Sequence, residues 1–546
     1  MYSKPLVVHS STRNVYVMEA LDEKGEVSQQ LNEFADFIQA PEQVHTFNLS
    51  PYALWTAKAK HIQADYIIDF LEKHSQNAIP ESLKMDIKKN MNHFGALEFS
   101  IKEDQLLLTA RTKELIETIK EIQLIKTKII DNPDHTTLVF KARYRTEIKK
   151  ILFKNNLFVK DIIYKFGEPL DLKCTFEPFY DYQLQAVNEY LTFNHQAGGG
   201  GTIIMPPNSG KILVGLKLIE ALKTTTLIIT KDKYKVEKWY KQIIESTDLS
   251  EQNITIFEKS GTDLKPITIG TYETLARHID ELEGFGFIIY DEAHNLPTPT
   301  HQLTADIRAT NKLALAATLA RSEENGNLVY ALVGPRWYEI SYSALVNKNY
   351  QVPVNCIEVK VPLPEAERCD YLARNPKDKI NADSTNSYKY KVVSTILKKE
   401  VTRRVLLVSY FNEVTQTCSE HFQIANLSSY LTEDQRQLLI RKFNNKEVDK
   451  LLASWSLIEN MNLQSIDVMI ALSYQQGSER EEYLRLGKLI KAEEGRKIAT
   501  LYALVSQDTD EEKYYAKRRK SLINLGFRYR ILTFDELMER GEFFES

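Results

Sequence analysis

At 546 residues, 43% of them hydrophobic and 26% charged, the chain exceeds what one core can hold, which sets an expectation of roughly three or four domains and excludes a disordered or fibrous protein. A formal net charge of −4 gives no global positive field toward nucleic acid, so any such contact must come from a local patch. Cys174, Cys356, Cys369 and Cys418 form no Cys-x-x-Cys pair, which argues against a zinc ribbon, an iron–sulfur cluster or a disulfide framework and fits a reducing compartment.

In chain order, residues 1–172 mix strand-like runs ("LVVHS", "LLLTA", "TTLVFKAR") with helical ones ("DYIIDFLEKHS", "TKELIETIKEIQLIKTKII"), the pattern of an α+β domain. The start "MYSKPLVVHSS" lacks the apolar run of a signal peptide. No segment reaches the roughly 18 apolar residues that span a bilayer, so the reading is a cytoplasmic protein with no membrane association. There is no solenoid repeat, and "198-GGGG-201" is the only low-complexity tract. Over 173–350 short, nearly continuous apolar runs appear: "202-TIIM-205", "226-TLIIT-230", "267-ITIGTY-272", "285-FGFIIY-290" and "312-KLALAAT-318". Strands apolar on both faces and alternating with helices mean a parallel sheet covered on both sides. The alternation returns over 351–546 in "404-RVLLVS-409", "448-VDKLLAS-454", "466-IDVMIALS-473" and "499-ATLYALVS-506", after a polar, mostly helical stretch over 364–391. The expected fold class is α/β, with two doubly wound parallel-sheet lobes preceded by an α+β N-terminal domain.

Chemistry concentrates in two places. In "205-MPPNSGKILVGL-216" a strand runs into a glycine-containing turn and then a helix. Pro207 opens the turn, and the backbone N–H groups from Asn208, Ser209 and Gly210 to Ile212 can cradle phosphates there, while the Lys211 ammonium can reach the terminal ones. Asn208 stands where glycine is usual and tolerates φ > 0. Taken alone, Gly210-Lys211 is equally an ordinary strand–helix turn. The most apolar strand, however, ends in "291-DEAH-294", at the sheet edge where parallel sheets bind ligands. An adjacent acid pair there costs repulsion and desolvation that folding does not require. Hydrolysis does require it, with Asp291 holding Mg2+ on the phosphates and Glu292 orienting and deprotonating the attacking water. "316-AATLAR-321" closes the next strand, where Thr318 can sense the site or merely end a strand.

Gly210-Lys211, Asp291-Glu292-Ala293-His294 and Ala317-Thr318 resemble, in order and spacing, motifs I, II and III of superfamily 2 helicases, and the details look like the XPB branch of bacterial type. "181-DYQLQAVNEYL-191" resembles its Q motif, which implies Gln183 as adenine reader. "315-LAATLAR-321" resembles its motif III with Arg321 following, and "334-GPRWYEISYSALVNKNYQVPVNCIEVKV-361" its link between lobes. "5-PLVVHSS-11" and "41-PEQVHTFNLSPYALWTAKA-59" are similar to its N-terminal region. The resemblance spans nearly the whole chain and implies RecA-like lobes, ATP with Mg2+, and a single-stranded or forked DNA partner contacted near Trp239, Thr271 and Tyr272. "237-EKWYKQI-243" is more simply helix–sheet packing, and "517-KRRK-520" more simply a solvated helix face than a DNA contact.

The sequence departs from the family at several points. Ile212 replaces the hydroxyl that usually helps hold magnesium. In "477-GSEREEYLRLGKLIKAEEGRKIATLYALVS-506", similar to motif VI, Lys488 and Lys491 stand where the family carries arginines, and Leu484 stands for a glutamine. Asn462 stands for an aspartate of motif V, and "321-RSEEN-325" interposes a serine in a signature loop. An arginine finger is worth roughly 10³–10⁵ in rate, and lysine keeps its charge without its planar fork. The expectation is therefore an XPB-type DNA helicase or translocase, acting in DNA repair or the remodelling of DNA-bound complexes, with attenuated ATP hydrolysis. Two alternatives stay open: a helicase-like scaffold that binds DNA or a protein with little turnover, and a motor completed by a partner nuclease or regulatory protein.

Overall fold

The computed structural model describes residues 4–22, 25–39, 44–176, 179–319, 327–375, 378–379, 384–428, 430–458, 461, 463–464, 466–473, 479–491 and 498–539. The chain divides into two compact units, one ending at Ile340 and the other beginning at Ser341, ten residues before the expected boundary. The shift has a local cause in the second unit. The Tyr342 hydroxyl donates to Val352 O and accepts from the Val354 amide, both at 2.9 Å, and its ring stacks on Phe527 at 4.2 Å, so the Tyr342–Asn347 helix belongs to the second unit.

The first unit holds a parallel sheet in the order Ile254–Phe257, Ile267–Thr271, Thr226–Thr230, Phe287–Tyr290, Asn311–Ala316, Gly200–Ile204, Arg336–Glu339. Four of its inner strands are buried at every residue, which is why they read as unbroken apolar runs. The expected strands all form. The two edge strands, Ile254–Phe257 and Arg336–Glu339, carried no such run: the first is buried only at its ends, with Thr255 half-buried and Ile256 exposed, and the second lies inside what read as a link.

Residues 4–172 form two α+β modules instead of one. The first is an antiparallel sheet in the order Leu6–His9, Asn14–Met18, Val44–Asn48, Asp36–Gln39, whose core includes helices Pro51–Ala59, Ala64–His74 and Glu81–Asn92. The second has five strands, in the order Asp131–Asp134, Thr137–Lys141, Gln105–Ala110, Leu97–Lys102, Val159–Asp161, around its own core. The helix expected over "TKELIETIKEIQLIKTKII" breaks after Lys120 and resumes at Gln123, which lets Ile116, Ile119 and Ile125 all bury.

Both modules are tied to the sheet-bearing lobe, which is why they share its unit. Arg336 donates to Asn32 O and Ala35 O at 3.0 Å, Lys60 donates to Trp337 O at 2.6 Å, and Tyr52 stacks on Tyr330 at 5.1 Å. From the second module Arg145 reaches Ala305 O at 3.2 Å. Arg145 and Lys149 close on Asp161 at 2.5 and 2.8 Å inside the joint. The 198–201 glycines sit here as well. A Cβ on Gly199 would lie 1.8 Å from Thr310 O and one on Gly201 2.1 Å from the Trp337 ring, so the tract is closely packed backbone.

The second unit carries another wholly parallel sheet, in the order Asn426–Leu427, Lys450–Ser454, Val405–Ser409, Val468–Ala471, Ala499–Ser506, Val354–Val361, Arg528–Thr533. A buried pair, Lys389 with Glu511 at 2.8 Å, pins the Tyr388–Lys399 helix to the N-terminal turn of the Asp510–Asn524 helix. Of "KRRK", Lys517 and Lys520 are exposed, Arg518 is buried and Arg519 donates to Glu358.

Candidate nucleotide site

The strand Gly200–Ile204 and the helix Lys211–Leu222 are joined by the Met205–Gly210 turn, with Asn208 at φ 56° and Gly210 at φ 82°. Both lie in the left-handed region that asparagine and glycine tolerate. Gly210 also has no room for a side chain, because a Cβ would lie 2.2 Å from Gln183 Nε2. Ser209 Oγ donates to Pro206 O at 2.7 Å. The Met205 amide donates to Ala316 O at 3.0 Å, tying the turn to the strand that leads to half-buried Thr318. Pro207 is buried, Asn208 exposed and Ile212 partly buried.

Gln183 meets this turn. Its Nε2 donates to Ser209 O at 2.8 Å and its Oε1 accepts from the Tyr180 amide at 3.1 Å. The Tyr182 hydroxyl donates to the same carbonyl at 3.0 Å. The glutamine thus braces the phosphate loop, aided by a tyrosine that sequence reasoning missed.

Lys211 donates to Met205 O at 2.9 Å and Pro206 O at 2.7 Å. Burial pushes its ammonium down to about 7; Asp291 and Glu292 act to raise it, Lys235 and Lys238 to lower it. Both acids of "DEAH" are therefore within electrostatic reach of the loop lysine. Asp291 is buried, its Oδ1 accepting from the Glu292 amide and its Oδ2 from Trp239 Nε1, each at 2.9 Å. Glu292 is held at φ 48°, and its Oε1 pairs with Lys235 Nζ at 2.8 Å. Burial works to lower Lys235, but Glu292 and then Asp291 outweigh it and hold that ammonium above its ordinary value. Burial and Lys235 together lower Lys238. His294 Nε2 lies 2.7 Å from Asn295 Nδ2 in the short turn after the strand.

The residues expected to touch DNA separate. Trp239 and Tyr272 are fully buried, so their side chains face the acids and no surface. Tyr272 donates its hydroxyl to Asp291 O at 3.0 Å. The Lys233–Ser246 and Tyr272–Ala276 helices turn these two rings inward, so a DNA contact near them would fall to backbone groups and hydroxyls. Thr271 caps the latter helix, accepting from the Thr274 amide at 3.2 Å. In the second unit, Lys488 Nζ donates to Met461 O at 2.6 Å, and Lys491 forms a bridge with Gln351. Arg321, the 321–325 loop and Asn462 lie outside the described residues, as does the Leu484 side chain. Sequence reasoning also missed Lys235; its spacing from Trp239, four residues on one helix, was the available signal.

A magnesium ion fits this donor set. Each Asp291 oxygen accepts one hydrogen bond, and a carboxylate offers about four lone-pair sites. Magnesium keeps most of its shell as water and phosphate oxygen, so one carboxylate suffices without a hydroxyl at Ile212.

Three family models match: "Helicase conserved C-terminal domain" over residues 9–129, "Type III restriction enzyme, res subunit" over 177–321, and "ERCC3/RAD25/XPB C-terminal helicase" over 345–545. The chain is 29% identical over 522 residues to the "DNA 3'-5' helicase XPB" of Kineococcus radiotolerans, with 92% of each chain covered. It is 28% identical to the protein of that name from Mycobacterium tuberculosis, covering 98% of this chain and 99% of that one. Among solved structures it resembles the "ATP-dependent Type ISP restriction-modification enzyme LlaBIII bound to DNA" with a TM-score of 0.50 at 12% identity, over 67% of this chain and 33% of that one, a likeness of fold alone.

Proposed function

Since the chain belongs to the XPB-type superfamily 2 helicases, we propose that it is a DNA-dependent ATPase acting as a helicase or translocase in DNA repair or the remodelling of DNA-bound complexes. The observation that carries this reading is the convergence of Lys211, Asp291 and Glu292 at the C-terminal edge of one parallel sheet. Lys211 exchanges the carbonyls of Met205 and Pro206 for phosphate oxygens when ATP binds. Magnesium, when bound, neutralises phosphate charge and is held by Asp291. Glu292 accepts a proton from water as its oxygen attacks the γ-phosphorus and the bond to the bridging oxygen breaks. His294 steadies the acid turn through Asn295, and Thr318 relays the state of the loop along its strand. Lys488 and Lys491 supply positive charge from motif VI, with Arg321 in the loop after motif III.

The DNA partner, single-stranded or forked, is held through its backbone by Thr271 and other surface groups of the lobes. The protein works in the cytoplasm, and among the described residues no helix is long and apolar enough to cross a membrane. A nuclease or regulatory partner would supply the arginine that motif VI lacks. The test is phosphate release with and without single- and double-stranded DNA. Turnover should rise with DNA and vanish in Lys211→Ala and Glu292→Gln.

A second reading, a nucleotide-switched scaffold, is favoured by Ile212 and by the engagement of Lys488 with Met461 O. It predicts DNA or partner binding with negligible turnover, and little loss of that binding in Glu292→Gln.

A further inference from the structure

Asp291 is held by a residue that stands well outside the phosphate loop and the acid motif. Trp239, on the Lys233–Ser246 helix, is fully buried, and its indole N–H donates to Asp291 Oδ2 at 2.9 Å. The far edge of the same ring lies against the helix that carries the phosphate loop: a Cβ on Gly215 would come within 2.7 Å of Trp239 Cη2. One rigid side chain therefore spans from the Lys211–Leu222 helix to the carboxylate opposite it. Tyr272 fixes the backbone of Asp291 and the Glu292 amide fixes Oδ1, so the indole sets the remaining freedom, the rotation of the carboxylate.

We infer that Trp239 is a positioning residue for the nucleotide reaction: its N–H orients Asp291 toward the phosphate loop, and its ring keeps the loop helix at the separation that orientation needs. It touches no substrate and acts through Asp291. A buried indole N–H usually finds an acceptor, and for Trp337 and Trp455 that acceptor is a backbone carbonyl. Spending the N–H on the buried acid is what assigns the role. Hydrogen bonds to charged groups are the stronger kind, and the carboxylate must be held before the ion arrives if binding is not to include the cost of ordering it. One turn earlier on the same helix face, Lys235 holds Glu292, so a single helix reaches both acids.

This inference rests on the proposed nucleotide reading. Its test measures binding of a fluorescent ADP analogue to the full chain, in Mg2+ and in EDTA, for the wild type and Trp239→Phe. Phenylalanine keeps a buried ring and removes the N–H. Affinity in EDTA should stay within about twofold, while the gain on adding Mg2+ falls about tenfold, the scale of one hydrogen bond to a charged group. An unchanged Mg2+ gain with a lowered melting temperature overturns the inference, because a structural tryptophan would behave so. If Trp239→Phe does not fold, the wild-type sequence labelled with 5-fluorotryptophan serves instead, its four resonances assigned through Trp55→Phe, Trp337→Phe and Trp455→Phe. The Trp239 resonance should move when Mg2+ is added to the ADP-bound chain, and a resonance indifferent to Mg2+ overturns the inference. Failure of the wild type to bind nucleotide under either condition removes the nucleotide reading itself, a result distinct from both.

Discussion

Raising the pH above 7 should weaken nucleotide binding and make it take up a proton at Lys211. In the free protein burial holds this ammonium down to about 7; Asp291 and Glu292 pull it up, Lys235 and Lys238 push it down. Its donors rest on two loop carbonyls, which neutralise no charge. A triphosphate in the loop brings several negative charges within hydrogen-bond reach and returns the lysine toward its ordinary range. By linkage, binding then takes up about 0.9 proton at pH 8 and about 0.1 at pH 6, and affinity falls roughly tenfold per pH unit between 7 and 9. The nucleotide's own phosphates are ionised across that window, their second ionisation lying near 6. The stability of the free chain runs the other way. Its folded pKa is below the unfolded one, so the unfolded chain binds more protons above pH 7, and the cost of holding Lys211 uncharged shrinks as pH rises toward the unfolded value. Calorimetric titration of ADP at pH 8 in two buffers of different ionisation enthalpy measures the uptake directly. Lys211→Met should abolish it. Uptake near zero in the wild type, or uptake that survives in Lys211→Met, refutes the reasoning.

Other expectations concern the joints and the acids. Asp161→Asn leaves Arg145 and Lys149 buried at the module–lobe joint beside Lys312, with Asp306 the acid left near them among the described residues, and should cost about 3–5 kcal/mol in urea unfolding at pH 7; a loss under about 1 kcal/mol would show that the cluster is solvated. Burial works to raise the Asp161 carboxyl, but Arg145 and Lys149 overcome it and hold it well below the usual range. This stabilisation is present above pH ~4, the ordinary aspartate value, and fades as pH falls below it. Gly201→Ala drives a methyl into the Trp337 ring and should destabilise by about 1–3 kcal/mol, read as a lowered denaturant midpoint. Lys235→Met removes the ammonium paired with Glu292; a partly buried pair worth about 1 kcal/mol sets the expected rise in DNA-independent turnover at about fivefold, and an equal or lower rate would make Lys235 a support for the base and not a restraint on it.

The inner strands of both lobes were legible because burial on both faces leaves an unbroken apolar run, as in "TLIIT" and "FGFIIY". The edge strand Ile254–Phe257 was not, because it is short and its central pair Thr255 and Ile256 meets solvent, and Arg336–Glu339 was hidden by residues chosen for the module joint, with Arg336 serving Asn32 and Ala35. The division of the first 172 residues into two modules lies in strand pairing, such as Leu97 with Val159, which local pattern does not encode. Within the site, Lys211, Asp291 and Glu292 were legible through chemistry that a fold has no need for. The work of Trp239 and Lys235 was not, because an aromatic and a lysine four apart on a helix are what ordinary amphipathic packing also produces.

The departures from the family should act on turnover and leave binding intact, because the attraction for nucleotide comes from elsewhere. Asp291 and Glu292 each act on Lys211, Lys235 and Lys238, so three ammonium groups lie within electrostatic reach of the two acids. Once Lys211 is protonated on binding, three ammonium groups face two carboxylates and leave positive charge for phosphate, and neither Ile212 nor Lys488 contributes to it. A missing hydroxyl costs magnesium one ligand that water can replace, whereas a missing arginine fork acts only where charge develops in the transition state. Ile212→Thr combined with Lys488→Arg and Lys491→Arg should therefore raise DNA-stimulated kcat by at least about tenfold, a fraction of the roughly 10³ that a well-placed finger supplies, with ADP affinity unchanged within about twofold. Phosphate release and a binding titration on the same preparations separate the two effects. A restored chain that binds more tightly but turns over no faster would mean that the lysines already do what arginines would, and that the limit on this site lies in the restraint of Glu292.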